Sequence, residues 1–466
     1  MKNQFNFTVN SKQIIGDLQT PIGVYLKVRN LYPQSCLLES TDLTDPDNSY
    51  SYIGIQPLAS IRIDREKVFL HYPDSDYQEE ILQGKQISDT VHDFTQQFSF
   101  QGEHKELCNL FGYTSYRIVH SLFNLPNYKD SLKENTSDLH YILYKYVIRF
   151  NPINKEILLI ELTNNEESLL DQFITIIENR NFSCYNFFSK GAIYSTTTDS
   201  EQKNAIQKGI ALCKEGKINQ LVLSRSFKQK FEGDDFKVYR ALRNINPSPY
   251  LFYFDFGSYR IFGSSPETHC KIEKGEIHID PIAGTVARGD HEEEDKKAVE
   301  FLLNDSKENI EHDMLVNLVK RELDELCDKS KLIFYKRVQK YSHVIHLVSR
   351  IRGKLKKELS PIEAYFRTFP AGTVSGFPKK EAIALLREIE QEEREVYGGS
   401  IGSIGFNGEV NQAIVIRTFI SQNNELSFQA GSGIVAQSSV ENEFKEVDNK
   451  LKALQLAIQA ANELKD

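Results

Sequence analysis

The feature that most constrains this chain is the density of strand-forming runs in its first part. SIRIDREKVFLHY (residues 60–72) alternates apolar and polar residues, and YILYKYVIRF (141–150) and EILLIEL (156–162) are short runs rich in β-branched and aromatic residues. Such runs bury one or both faces of a sheet and are too short for independent helices. The first ~190 residues therefore read as strand-like and turn-rich. The polar segment SKGAIYSTTTDSEQ (189–202) reads as a boundary. It separates an N-terminal region, residues 1–190, from a second domain, residues 200–466. There, helices such as 201–214 interleave with strands such as LVLSRSFKQKF (221–231), YLFYFDF and YRIFGSS. At 466 residues the chain has room for two or three average domains or one large composite. No fixed-period repeat or low-complexity tract is visible.

Net charge is −9 and the isoelectric point is about 5.8. This argues against nucleic acid or an anionic membrane as the main partner, so any bound anion must be met by local positive groups. The six cysteines lie far apart without a C-x-x-C pair, which suits a reducing compartment better than a disulfide frame or zinc site. MKNQFNFTVN has no apolar signal core and no stretch approaches a spanning helix, so a cytoplasmic protein is expected.

Two long helices carry the clearest periodicity, at about 306–327 and 440–464. The second opens on Ser438-Ser-Val-Glu441, the spacing of a capping box. Its Phe444, Val447, Leu451, Leu454 and Ile458 form one inward stripe. Beside the stripe, Glu443 and Glu446 stand three apart, one turn from each other. The first helix repeats the pattern with Glu308 and Glu311 beside an expected Ile310/Met314/Leu318 core stripe. Spacing alone leaves two readings open: solvated helix surface, or a four-carboxylate site for a hard divalent cation. Glycine-bearing polar turns recur nearby: DPIAGTVARG (280–289), GSSPE (263–267), AGTVSGFPK (371–379), YGGSIG (397–402) and QAGSGIV (429–435). Together they imply backbone approaching a small ligand from several sides. Pro378 fits a helix start whose amides face an anion.

These turns, with KENIEHDMLV, VIHLVSRIRG and IVIRT, occur in an order that resembles the chorismate-utilising enzymes, most of all the large aminating subunit, anthranilate synthase component I. The resemblance runs from about Lys203 to the C-terminus and is thinner before it, mainly CLLEST (36–41) and FGYTSY (111–116). It implies an α+β fold, a large two-domain sandwich of antiparallel sheets covered by helices, with the active site in the cleft between sheets. It implies Mg²⁺ held by Glu311 and Glu446, with Glu308 and Glu443 beside them, gripping the substrate ring carboxylate. Arg417, Tyr397 and the backbone of Gly431, Ser432 and Gly433 correspond to the grip on the enolpyruvyl side, where a forked guanidinium suits a carboxylate. Gly284 and Thr285 correspond to a substrate cradle. Glu267 aligns with the general acid for the departing C4 hydroxyl, with a raised pKa expected beside substrate carboxylates. His346 aligns with a histidine assigned to the later elimination or to orientation, and Thr373 joins the catalytic group by the same correspondence.

The nucleophile follows from two further positions. Relatives that attack C2 through an enzyme amine hold lysine where this chain has Ala283, and relatives that activate water hold lysine where it has Gln220. Neither group is present, and the small alanine leaves room for ammonia, so the resemblance implies amination. It also implies a separate glutamine amidotransferase subunit, because no cysteine here sits on a glycine-flanked nucleophile turn. Ser40, with Pro249, Tyr250 and Leu251, corresponds to a pocket for inhibitory L-tryptophan. The alternatives are a 2-amino-2-deoxyisochorismate synthase, an isochorismate synthase, or a non-catalytic chorismate-binding homologue. The chain departs from the family at NLVKREL (317–323), Phe377 and Ser403. Altered packing is expected from the first, and altered substrate fit from the other two.

Overall fold

A computed structural model describes residues 5–40, 49–73, 77–82, 86–125, 136–179, 181–289, 291–340 and 344–465. At Ala283, Thr285, Ala287, Ser306, Lys307 and Val344 it describes the backbone alone. One curled antiparallel ladder organises the molecule. It starts at strand Phe187–Tyr194 and passes through Gln220–Gly233, Glu425–Ile434, Thr418–Gln422, Arg260–Ser265 and Tyr250–Asp255. It then crosses into the N-terminal region through Cys36–Glu39, Ser51–Asp64, Leu139–Phe150 and Asn109–Thr114. It returns through Ser400–Gly405, Val410–Ile414, Thr268–Glu273, Glu276–Ile279 and Val344–Leu355, and ends on Cys327–Lys340. Phe5–Ile15 with Phe98–Gln101 is a parallel exception. Right-handed strand twist accumulates over such a ladder, and bulges sharpen it. The register shifts at several points between Cys327–Lys340 and Val344–Leu355.

The α+β expectation holds: antiparallel sheet is covered by helices. The segment read as a boundary, 189–202, covers most of strand Phe187–Tyr194 and the start of helix Asp199–Lys214, and three strand pairs of the ladder join the two regions.

The two long helices are Ser306–Leu326 and Val440–Glu463. The second buries Val447, Leu451, Leu454 and Ile458, as its spacing requires. Its start differs by one residue from the capping-box reading. Ser439 is the N-cap, accepting from the Asn442 amide, while the Ser438 hydroxyl accepts from the Val435 amide. The reciprocal Thr–Glu box occurs instead at Thr198 and Glu201, opening the Asp199–Lys214 helix. On the first helix the buried stripe is Leu315, Leu318, Val319 and Leu323, and Ile310 is 53% exposed. The expected stripe was thus rotated: at this end the side that meets the sheet carries Glu308, Glu311 and His312, whose ring bonds the Ser349 hydroxyl, and Ile310 lies on the other face. Pro378 is the N-cap of helix Lys379–Ile389 rather than its first residue.

Leu451 is fully buried on the inner face of the last helix. Leu451→Ala should lower unfolding stability by about 2–5 kcal/mol, the range for a buried leucine that leaves a cavity. Equilibrium urea unfolding measures it, with an unchanged m-value expected.

Candidate active site

Two limbs of the ladder supply the walls of the site. One is the pair Gln220–Gly233 and Glu425–Ile434, whose register sets Ser224 opposite Gly431 and Val222 opposite Gly433. The other is Ile282–Ala287 against Val344–Leu355. The Ala-Gly-Thr step, read above as a turn, lies inside a strand. Ladder pairing runs from Ala283↔Leu347 to Thr285↔His346 with Gly284 skipped, a bulge at which Gly284 takes φ +80°. A left-handed bulge residue has to be glycine or carry strain. The side chains of Ala283 and Thr285 lie outside the described atoms, so the structure carries their backbone placement alone.

The Ser306 helix aims its two carboxylates at these glycine backbones. A Cβ at Gly284 would stand 3.4 Å from Glu308 Oε2, and a Cβ at Gly433 would stand 2.5 Å from Glu311 Oε1. Gln220 Nε2 donates to Glu311 Oε1 at 2.7 Å, so that amide is engaged with a carboxylate. From the other helix, Glu446 accepts from Lys450 at 2.8 Å, and Lys450 also donates to the Gly431 carbonyl at 2.9 Å. Burial pulls the Lys450 amine down, but Glu446, Tyr397 and Glu311 outweigh it and hold its pKa above the usual lysine range. Glu443 is buried at 1% exposure.

All-oxygen carboxylate donors suit a hard divalent cation, and buried carboxylates call for a counter-charge. Among the described residues, no group of three or more His, Cys, Asp and Glu side chains is closed into a cation shell. In this conformation the Lys450 ammonium supplies the positive charge beside Glu446 and Glu311. Lys450 was not anticipated from the sequence. Its signal was there, since it lies four residues after Glu446 on the same helix face.

Glu267 is 7% exposed. Burial pushes its carboxyl up to about 8, against the opposing pull of the Thr373 hydroxyl, the Ile282 amide, Lys450 and Arg417. The expected rise is therefore built into the protein before any substrate arrives. Arg417 takes φ +50°, a left-handed conformation, and its Nη1 donates to Asn246 Oδ1 at 3.1 Å. Backbone strain of that kind concentrates at functional positions. Tyr397 is buried, and its hydroxyl would stand 3.0 Å from a Cβ at Gly431. Side-chain alternation turns Ser432 away from the face that Gly431 and Gly433 present, so Ser432 offers this face its backbone. His346 is 2% exposed. Burial and then Arg417 push its imidazole down to about 3, and its Nδ1 lies 3.4 Å from the Gly284 carbonyl. It is a neutral, hydrogen-bonding imidazole at ordinary pH.

Ser40 and Tyr250 stand one step beyond the ladder pair Glu39↔Leu251. The two predicted walls of the effector pocket are therefore adjacent strands. Tyr250 OH bonds Thr268 Oγ1 at 2.9 Å and donates to Asn411 Oδ1 at 3.2 Å, while Leu251 is buried and Pro249 half-buried. Ser403 pairs with Asn411, so that departure borders this region rather than the glycine cleft. The other two departures meet each other: the Arg321 guanidinium lies 5.8 Å over the Phe377 ring, and Phe377 pairs with Gln220.

A family model described as chorismate binding enzyme matches residues 37–456. The chain is 31% identical to an anthranilate synthase component 1 of Aquifex aeolicus (strain VF5), covering 99% of this chain and 97% of that protein. It is also 31% identical to one of Acetivibrio thermocellus, covering 100% and 98%. The crystal structure of anthranilate synthase component I from Streptococcus pneumoniae TIGR4 superposes with a TM-score of 0.77 at 28% identity, covering 96% of this chain and 99% of that chain. The menaquinone-specific isochorismate synthase of Escherichia coli shares the fold, with a TM-score of 0.75 at 19% identity, covering 98% and 96%. With glycine backbones of two sheet limbs facing the Glu308 and Glu311 carboxylates of one helix and a family match over most of its length, the chain belongs to the chorismate-binding enzymes.

Proposed function

We propose that this protein is anthranilate synthase component I, converting chorismate and ammonia to anthranilate and pyruvate in tryptophan biosynthesis, in the cytoplasm. The observation that carries amination over hydration is Gln220. Where water-activating relatives hold a lysine base, this chain holds an amide that donates to Glu311. Glu311 and Glu446, with Glu308 and Glu443 beside them, would hold Mg²⁺, which when bound neutralises the ring carboxylate. The chain's own groups do the rest. Arg417, Tyr397 and the Gly431–Gly433 backbone hold the enolpyruvyl carboxylate, and Gly284 and Thr285 cradle the ring. Glu267, with Thr373 at its carboxyl, gives its proton to the departing C4 hydroxyl as ammonia adds at C2. Neutral His346 orients the region near C4 while pyruvate is eliminated.

Ammonia would come from a partner glutamine amidotransferase subunit. Burial pushes the thiols of Cys36, Cys108 and Cys270 up to about 12, and those of Cys213 and Cys327 up to about 11. Thiols held protonated are poor nucleophiles.

Purified protein given chorismate, Mg²⁺ and an ammonium salt should release pyruvate and fluorescent anthranilate. Without ammonium, pyruvate release should cease. Release at an unchanged rate without ammonium overturns amination, and accumulation of 2-amino-2-deoxyisochorismate or isochorismate selects the corresponding alternative.

The Glu267 carboxyl must carry its proton to act as the acid, so kcat should fall as pH rises above about 8. Glu267→Gln should cost about 10²–10⁴-fold. A second readout follows by linkage. The folded-state pKa is raised from 4.5 to about 8, so stability is full below 4.5 and is lost as pH rises through 8. Glu267→Gln should remove that loss in thermal melts taken across this window.

L-Tryptophan should raise the apparent KM for chorismate, by stabilising a low-affinity arrangement of the Cys36–Glu39 and Tyr250–Asp255 strands. Ser40→Arg should abolish inhibition with activity retained. Calorimetry showing no tryptophan binding up to millimolar concentration would remove the tryptophan-pathway assignment.

A further inference from the structure

The segment that follows helix Lys379–Ile389 carries a buried ion pair that none of the chemistry above uses. The side chains of Glu390 and Arg394 are 6% and 2% exposed. The guanidinium is held on all sides. Its Nε donates to Glu390 Oε2 at 2.7 Å and Nη2 to Glu390 Oε1 at 2.7 Å. Its Nη1 donates to the Val374 carbonyl and Nη2 to the Val222 carbonyl, each at 2.5 Å. Its plane lies 4.7 Å from the Tyr116 ring centroid and 5.8 Å from that of Tyr397. The Arg394 carbonyl also accepts from the Tyr397 amide at 2.9 Å.

Glu390 extends the network in the other direction. Its Oε1 accepts from the Ser224 amide at 2.8 Å and the Ser224 hydroxyl at 2.7 Å, and Gln429 Nε2 donates to that same hydroxyl at 2.8 Å. Four of the residues reached belong to the site or stand one step from a group placed in it. Val374 follows Thr373, Ser224 is paired with Gly431, Val222 is paired with Gly433, and Tyr397 is the buried phenol over Gly431.

We infer that Arg394, anchored by Glu390, is a positioning residue that fixes the Thr373 turn, the Gly431–Gly433 strand and Tyr397 relative to one another. The planar fork is what the task requires. Only a guanidinium reaches a carboxylate through two nitrogens while serving two backbone carbonyls on different elements and stacking on rings. A lysine keeps the charge and loses that simultaneity. The pair touches no substrate atom, and it acts through the enolpyruvyl side of the cleft, so the inference rests on the reading of that side given above.

Arg394→Lys and Glu390→Gln test it, with Arg29→Lys as control. Arg29 forms a partly buried pair with Asp234, 10% and 14% exposed, on segments that carry none of the site residues. Chorismate binding is measured by calorimetry in ammonium-free buffer, and KM and kcat with ammonium present. Misplacement of a grip by about 1 Å is expected to cost about 10²-fold. Arg394→Lys should therefore lose about that much in kcat/KM, with weaker chorismate binding, while circular dichroism stays native. Glu390→Gln should shift both quantities in the same direction by less. The double variant should be little worse than Arg394→Lys alone, as for groups that act as a unit. Arg29→Lys should lower thermal stability and leave KM unchanged. If Arg394→Lys and Glu390→Gln only lower stability, as Arg29→Lys does, with KM and kcat within twofold of the parent, the positioning role is overturned. If Arg394→Lys does not fold, Glu390→Gln alone decides by the same criterion. Failure of the parent protein itself to bind or turn over chorismate would instead strike the functional reading.

Discussion

The ladder between Gln220–Gly233 and Glu425–Ile434 is the constraint on which the site depends. Its ten paired residues run from Leu221↔Ile434 to Lys230↔Glu425. A slip of one residue would turn every side chain on one strand to the opposite face. Gly431 and Gly433 would leave the cleft, and Ser432 would enter it. The core forbids this, because Phe428, Ala430 and Leu426 are buried on the opposite face among Val447, Leu451 and Leu454 of the last helix. Hydrophobic burial therefore sets the register, and the register places the glycine backbone. The same helix that enforces the packing also carries Glu443, Glu446 and Lys450 over the strand it packs against.

Much of this was legible in local pattern. The long helices were readable because their apolar stripes repeat over several turns, and the glycine segments because small residues in series at strand ends are uncommon. The failures have physical causes. Ala283-Gly284-Thr285 looked like a turn because a bulge and a turn use glycine for the same positive φ, and only the partner strand distinguishes them. Ile310 looked like core because apolar spacing does not say which side of the helix meets the sheet, and here that side carries Glu308, Glu311 and His312. The short helices Pro21–Val28 and Ile87–Thr95 were passed over within a strand-rich region. The first did carry a signal, with Thr20 as N-cap and Pro21 at the first turn. Arg394 was hidden for a different reason: its acceptors Val222 and Val374 are far away in sequence and are backbone atoms.

The departures from the family pattern also make sense only in space. In sequence, Arg321 and Phe377 are two separate exceptions. In the fold they form one contact, and Phe377 is the register partner of Gln220. The Phe377 ring on one element is met by the Arg321 guanidinium on the next, a cation–π contact. Ser403 belongs to a separate group, paired with Asn411 beneath Tyr250.

The ladder that curls so far must stop somewhere, and it stops at Cys327–Lys340, which among the described residues pairs only with Val344–Leu355. That leaves a long outer margin with Leu332, Ile333 and Tyr335 roughly half exposed. An unguarded margin of this kind recruits strands from other molecules. Here Lys329, Lys331 and Arg337 are interspersed along it, while Lys336 and Lys340 are paired with Asp313 and Asp295. Two such margins brought together would set like charges against each other. The same row that terminates the sheet thus sets cationic side chains along its open edge, a pattern that disfavours edge-to-edge pairing.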